Sequence, residues 1–444
     1  MIDELINFLK TENIFLTGGA GVGKSYAVSK IIKHYKNENL GVVSLGSTGI
    51  SAVNIGGLTL HSFFGFGICK NKNELSEYDK GSKAKERIKN LKNILDKTKL
   101  IIIDEISMVS ADLFEMIYLR LINLTYKGRV MVVGDFYQLP PIIKEQNLDL
   151  FQRSIYAFGS YSWEMMRFKN IELIKPKRTK NLEFFKVLSK IRVGKISIED
   201  ARYLYGFTEV KFTPSSDETV LFGRNKEANE LNVFMLEKIN SPLLKHIGKT
   251  IINDNLVHKD RIDKWLNNLN VATVFEFKIG AKVIFTINKY KNILDDSEFY
   301  NGEQGVIKDV FLNDGEISEI LVEKSNGELV EVKPNNYDFG EYINENDELK
   351  YNIIASFFQF PLRLAYAITI HKSQGMSIER LTCDLTHIFA EGQLYVALSR
   401  AIEPNNLKIV YKKSENFNSY LNRVIKSHKD VDEFYKKTDF LKYE

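Results

Sequence analysis

Gly18, Gly19, Ala20, Gly21, Val22, Gly23, Lys24 and Ser25 fill every fixed position of the phosphate-binding pattern G-x-x-x-x-G-K-[ST]. Glycines let the main chain curl until successive amide N–H groups face one anion. The N-terminus of a following helix adds partial positive charge. Lys24 can then reach the β- and γ-phosphates of a nucleoside triphosphate, and the Ser25 hydroxyl can hold Mg²⁺. The context fits, because the loop follows the apolar run Ile14-Phe15-Leu16-Thr17 and precedes the amphipathic stretch Tyr26 to Tyr35.

A second apolar run, Leu100 to Ile103, ends in the adjacent acids Asp104 and Glu105. Where a strand ends and the chain turns, both carboxylates can reach the same phosphate crevice. Asp104 is expected in the Mg²⁺ shell, and Glu105 is expected to position or deprotonate the attacking water. Gly134-Asp135-Phe136-Tyr137-Gln138-Leu139-Pro140-Pro141 follows the next apolar run, and the Gln138 amide could sense a γ-phosphate or its water. Arg178 and Arg400 are candidates for the arginines that neutralise charge on a phosphoryl group in transfer.

The elements that must position these residues alternate. Strand expectations at Ile14–Thr17, Gly41–Leu45, Leu100–Asp104 and Val130–Val133, separated by helical stretches, argue for a parallel sheet with helices on its faces. A second alternating block runs from Val220–Phe222 and the helical Lys226–Ile239 through Leu362–Ala367 and Leu381–Leu385 to Leu407–Val410, with a Lys-rich helical tail after Lys412. Between about Ser241 and Ile354, short β-rich runs are punctuated by Asn301-Gly302, Asp314-Gly315 and Asn326-Gly327, which suggests a small inserted β-barrel. The expected division is residues 1–165 as the first α/β domain, 166–240 with 355–444 as the second, and 241–354 as the insert.

With 444 residues, 44% hydrophobic and 27% charged, the chain has the composition of a soluble globular protein. Its apolar runs are strand length, far short of a bilayer span, and Met1 to Lys10 has no apolar signal region. Two distant cysteines, Cys69 and Cys383, argue against a disulfide framework and for the cytoplasm. The net charge of +4 does not establish a polyanion partner, but Lys70 to Lys99 holds ten Lys and Arg against five Asp and Glu.

Further motifs carry a resemblance. Ser47 to Gly57 with Leu60-His61-Ser62-Phe63, Asp104 to Val109 (DEISMV), Ser110 to Leu121, Gly134 to Pro141 (GDFYQLPP), His371 to Ser377 (HKSQGMS) and Tyr395 to Arg400 (YVALSR) resemble the motifs of the Pif family of DNA helicases. They fall in the family's order and, with the phosphate loop, span nearly the whole chain. The resemblance implies two RecA-like motor domains binding ATP, a wedge at about 65–95 and an SH3-like barrel inserted in the second motor domain. It implies ATP and Mg²⁺ as cofactors, with Gly375 joining the nucleotide set. Movement would be 5′ to 3′ on single-stranded DNA, with duplex or forked DNA as the substrate, no membrane partner, and a monomer off DNA in a bacterial-type, nucleoid-associated setting. By position, Thr48 and Asn54 would meet the DNA backbone, and His61, Ser62 and Phe63 a base or sugar. His371 and Lys372 would also bind DNA, in a stretch coupling it to nucleotide. The family's adenine-contacting segment is short here and has no glutamine. Two other functions share many of these features: a translocase that displaces proteins with little unwinding, and a nucleotide-regulated nucleic-acid-binding module.

Overall fold

The computed structural model describes all residues except 48–50, 52–57, 68, 142–153, 210–212, 254–256, 288, 291–296, 346–347 and 413–414. Thr48 and Asn54 therefore lie outside the described residues. The chain forms two compact units. One comprises Met1–Lys177, Gly340–Ile353 and Ser427–Glu444, and the other comprises Arg178–Phe339 and Ile354–Lys426.

The first unit is built on strands β1 (Ile14–Gly18), β2 (Gly41–Gly46), β3 (Leu58–Thr59), β4 (Thr98–Asp104), β5 (Arg129–Val133) and β6 (Lys169–Leu173), joined by the terminal strand Leu441–Tyr443. Their order across the sheet is terminal strand, β6, β1, β5, β4, β2, β3, and the pairings are parallel. Parallel strands covered on both faces must be apolar throughout, which is why β1 and the stretch Leu100–Ile103 are buried along their lengths. Each of Ile101, Ile102 and Ile103 contributes on the order of 1.5–3 kcal/mol by leaving water. The helix Lys24–Asn37 turns Ala27, Val28, Ile31 and Tyr35 inward at helical spacing and presents lysines outward.

The basic insertion folds as two helices, Lys72–Tyr78 and Ser82–Lys97. Asn71 caps the first by accepting from the amides of Asn73 and Glu74. The turn between them is fastened from below. Arg120, on the helix Ala111–Asn123, donates to both Asp79 carboxylate oxygens at 2.6 and 3.0 Å, and its guanidinium lies 5.7 Å from the Phe66 ring centre.

The domain expectations differ from these units at three places. Lys169–Leu173 pairs with β1, so the first unit extends to Lys177 and not to 165. The tail is helical at Phe417–Val424 and Lys429–Lys437, but its last eighteen residues, Ser427–Glu444, return to the first unit and add a strand beside β6. The segment Gly340–Ile353 also groups with the first unit.

In the second unit, a parallel sheet has the order Ala367–Thr369, Thr219–Phe222, Leu381–Asp384, Leu407–Val410. A separate antiparallel sheet contains Leu329–Val332, Glu316–Lys324, Gln304–Asn313, Lys282–Phe285 and Leu362–Leu364, in that order. The expected single strand Leu362–Ala367 is therefore two strands serving two sheets. Phe277, Val283, Phe285, Ile307, Ile320 and Val332 fill the core of the antiparallel sheet. Asp314 and Gly315, both with positive φ, close the two-residue hairpin joining its longest pair of strands. No helix among the described residues is long and apolar enough to cross a membrane.

Candidate functional site

The first unit gathers its chemistry at the C-terminal edge of β1, β4 and β5, the edge where open α/β sheets bind ligands. Gly18, Gly21 and Gly23 have φ of +139°, +76° and +97°. At Gly18 a Cβ atom would stand 2.3 Å from the Leu173 carbonyl oxygen, so no larger residue fits without moving β6. Lys24 opens the helix, and its ammonium donates to the carbonyls of Gly18 at 2.6 Å and Gly19 at 3.0 Å. The Lys177 amide donates to the Gly21 carbonyl at 2.7 Å, which pins the crest of the loop.

Asp104 ends β4, and one of its carboxylate oxygens accepts the Glu105 N–H at 2.9 Å. Burial pushes its pKa up, while that amide and the Lys24 ammonium pull the other way. Glu105 has φ +53° and ψ +48°, a left-handed conformation that costs a non-glycine residue free energy and that clusters at functional sites. The next loop starts at Gly134, whose N–H donates to the Leu16 carbonyl at 3.1 Å. Asp135 is buried, accepts the Tyr137 N–H on its carboxylate at 3.3 Å, and receives the Gln138 N–H on its carbonyl at 2.9 Å. This turn holds Gln138, also buried.

Among the described residues, no three His, Cys, Asp or Glu side chains gather as a metal cage. Ser25 and Asp104 offer hard oxygen ligands suited to Mg²⁺, which ordinarily takes one or two carboxylates and completes its shell with substrate phosphates and water.

The DNA motif is partly described. Thr59 caps the short helix Leu60–Phe64 by accepting the Ser62 N–H at 3.3 Å. His61 is exposed, meets the Phe66 ring edge-on, and has its pKa lowered by desolvation. Phe63 departs from expectation. It is 7% exposed, with its ring edge-on to Phe64 at 5.0 Å, where the reading of a residue near a base or sugar leads one to expect an exposed ring.

In the second unit the structure brings Arg178, Arg400 and the His371–Gly375 stretch together. Arg178 donates to the Ser399 carbonyl at 2.7 Å. Burial, reinforced by the Arg400 guanidinium and opposed by Tyr395, pushes its pKa down to about 9. Arg400 is buried. It donates from Nε to the Val396 carbonyl at 2.9 Å, from Nη1 to the Ser373 and Met376 carbonyls at 3.3 Å, and from Nη2 to the Ser399 hydroxyl at 2.9 Å. Gly375 makes the turn with φ +80°. Burial lowers the pKa of both His371 and Lys372, with Arg363 adding to the effect on Lys372.

Two aromatic residues were invisible to motif reading. Phe389 is 69% exposed, with its ring 22° from parallel to His371 at 6.5 Å. Tyr435 reaches the start of the phosphate loop from the far end of the chain. An aromatic residue in a Lys-rich tail carries no motif that could announce it.

Comparison with known proteins supplies an independent reading. A model of the PIF1-like helicases matches residues 1–202, and a second helicase model matches residues 284–429. The chain is 45% identical to the ATP-dependent DNA helicase Pif1 of Campylobacter jejuni, over 100% of this chain and 99% of the other. It is 32% identical to the Bdellovibrio bacteriovorus protein of the same name, over 90% and 84% respectively. The crystal structure of Bacteroides sp. Pif1 in complex with ADP-AlF4 superposes with a TM-score of 0.78 at 26% identity, covering 98% of this chain and 95% of that one. Bacteroides Pif1 bound to single-stranded DNA gives 0.63 at 26% identity, with the same coverage.

Proposed function

The chain belongs to the PIF1-like family of ATP-dependent DNA helicases, and we propose that it moves 5′ to 3′ along single-stranded DNA while splitting the duplex ahead. The observation that carries the nucleotide half of this reading is the convergence of the positive-φ glycine loop, the half-buried Asp104 and the Gln138 turn on one edge of a parallel sheet.

Residues Gly18 to Ser25 wrap the phosphates of ATP, and Lys24 exchanges its loop carbonyls for β- and γ-phosphate oxygens. Ser25 and Asp104 hold Mg²⁺, which when bound neutralises charge on the phosphate oxygens. Glu105 orients the attacking water and accepts its proton, and Gln138 senses the γ-phosphate. Arg178 and Arg400 neutralise the charge of the transferred phosphoryl group. The bonds from Arg400 to the Ser373 and Met376 carbonyls tie that event to the His371–Gly375 stretch, where His371 and Lys372 contact DNA. His61 and Ser62 contact DNA in the first unit, joined by Thr48 and Asn54 on sequence grounds. The basic helices Lys72–Tyr78 and Ser82–Lys97 form the wedge, and the antiparallel sheet of the second unit is the SH3-like module. The setting is the bacterial cytoplasm and nucleoid, and the state off DNA is a monomer.

The decisive assay compares duplexes with a 5′ single-stranded tail and with a 3′ tail, in the presence of ATP. Unwinding confined to the 5′-tailed duplex is expected. Equal unwinding of both, or unwinding of the 3′-tailed duplex alone, overturns the polarity.

A further inference from the structure

We propose that Tyr435 is a positioning residue for ATP hydrolysis, its hydroxyl tying the end of β1, where the phosphate loop begins, to the turn that carries Gln138. This rests on the nucleotide reading of Gly18–Ser25 and Gln138 given above.

The argument begins where main-chain pairing stops. Strands β1 and β5 run side by side through the pairs Ile14 with Met131, Phe15 with Val132 and Leu16 with Val133, and the last rung is the Gly134 N–H on the Leu16 carbonyl. Beyond it the two chains part, one into the phosphate loop and the other into the Asp135–Gln138 turn. No ladder bond can set the width of that split.

Tyr435 spans it. Its hydroxyl lies 2.7 Å from Thr17 Oγ1, on the residue just before Gly18, and accepts the Phe136 N–H at 3.4 Å. The hydroxyl accepts from Phe136 and shares a hydrogen bond with Thr17 in which either oxygen can donate, so one oxygen serves both sides of the split. Thr17 is fully buried, so its hydroxyl needs such a partner. The Tyr435 ring lies 4.7 Å from Tyr137 at an interplanar angle of 21°, which adds a face contact to the residue beside Gln138.

The tyrosine is held from outside the loops it touches. Its helix, Lys429–Lys437, is capped by His428 and buries Val431. Its neighbour Phe434 stacks on Phe158 at 4.4 Å and 13°. On the other side, Leu441–Tyr443 pairs in parallel with β6, and the Ile174 N–H donates to the Tyr443 carbonyl at 2.9 Å. Tyr435 is thus a fixed post, and the turn after Phe136 leans on it. The effect of the hydroxyl passes through Phe136 to the tight turn in which Asp135 receives the Tyr137 and Gln138 amides. A small displacement of a group that senses the γ-phosphate slows the chemical step more than it weakens ATP binding.

The test is Tyr435→Phe, which deletes one oxygen and keeps both the ring stack and the fold. In ATPase assays saturated with single-stranded DNA, kcat is expected to fall about tenfold while KM for ATP stays within about twofold. The thermal unfolding midpoint should move by no more than about 4 °C. Thr17→Val approaches the bridge from its other side, and the double variant should be no slower than the slower single one, because both remove the same bond. A wild-type kcat in Tyr435→Phe, or rate losses that multiply in the double variant, overturns the proposal. A loss of rate that vanishes when normalised to the folded fraction also overturns it, since that is the signature of a purely structural residue. Lys24→Ala run in parallel separates the two levels. Sustained turnover there defeats the nucleotide-site reading itself. A dead Lys24→Ala beside a wild-type Tyr435→Phe defeats only the role of the tyrosine.

Discussion

Lys24 in the first unit and Arg400 in the second are both cations bonded to main-chain carbonyls, and the manner of bonding differs. Lys24 sits on a flexible stem and donates to two carbonyls of a loop bent by glycines in left-handed conformations. An ammonium held by neutral acceptors gains more from a phosphate oxygen, so its bonds are made to be exchanged. Arg400 is buried, and its planar fork joins Val396, Ser373, Met376 and Ser399. These acceptors come from two separate stretches of chain, and the fork sets their spacing. Lys24 thus bonds within one loop, whereas Arg400 ties together two stretches of chain.

Substitution should split them. Lys24→Ala is expected to abolish ATP turnover, by a thousandfold or more on the order of a lost preorganised charge, with little change in unfolding midpoint. Turnover near wild type shows that the loop does not serve the nucleotide. Arg400→Ala is expected to cost about 1–3 kcal/mol of stability in the second unit, because the Ser373 and Val396 carbonyls keep the Met376 amide and the Ser399 hydroxyl as donors while the Met376 carbonyl loses the guanidinium. Denaturant unfolding measures it, and an unchanged midpoint would mean that the fork is not structural.

Lys282 sharpens the contrast from the opposite direction. It is 5% exposed, and among the described residues its ammonium has no hydrogen-bond partner. Burial lowers its pKa to about 7, with Asp217 and Glu218 opposing the shift. From about pH 7 to about 10.5 the unfolded chain holds a proton that the folded chain has released, so stability rises with pH across that window. Lys282→Met should flatten this dependence and stabilise the second unit at pH 7 by about 1–3 kcal/mol. A steeper dependence, or a less stable protein at pH 7, contradicts the picture.

How much of this was legible in the sequence depended on range. The phosphate loop, the acid pair and the Gln138 turn are contiguous, and each follows a continuous apolar strand. Both the residues and their place at the sheet edge could therefore be read. The short strand Lys169–Leu173 mixes polar and apolar residues and carries no parallel-strand signal, so its pairing with β1 is not legible in the sequence. The run Leu362–Ala367 looked like one strand because apolarity does not reveal where a chain changes sheets. Phe63 could not be told from a base-stacking residue, since burial is decided by its surroundings and not by its own identity. The Tyr435–Thr17 bond crosses 418 positions, and no local pattern encodes such a pairing.

The pair of half-buried Asp79 with buried Arg120 has a mechanical meaning. The basic two-helix insertion is clamped at its bend to the helix Ala111–Asn123, which follows the acid pair by only a few residues. In the wedge role proposed above, a duplex end pressing on that projection would deliver its load near the sheet edge that carries the acid pair and not into a slack surface loop. Stiffness at this one bend limits how much force the arm can bear before it folds back.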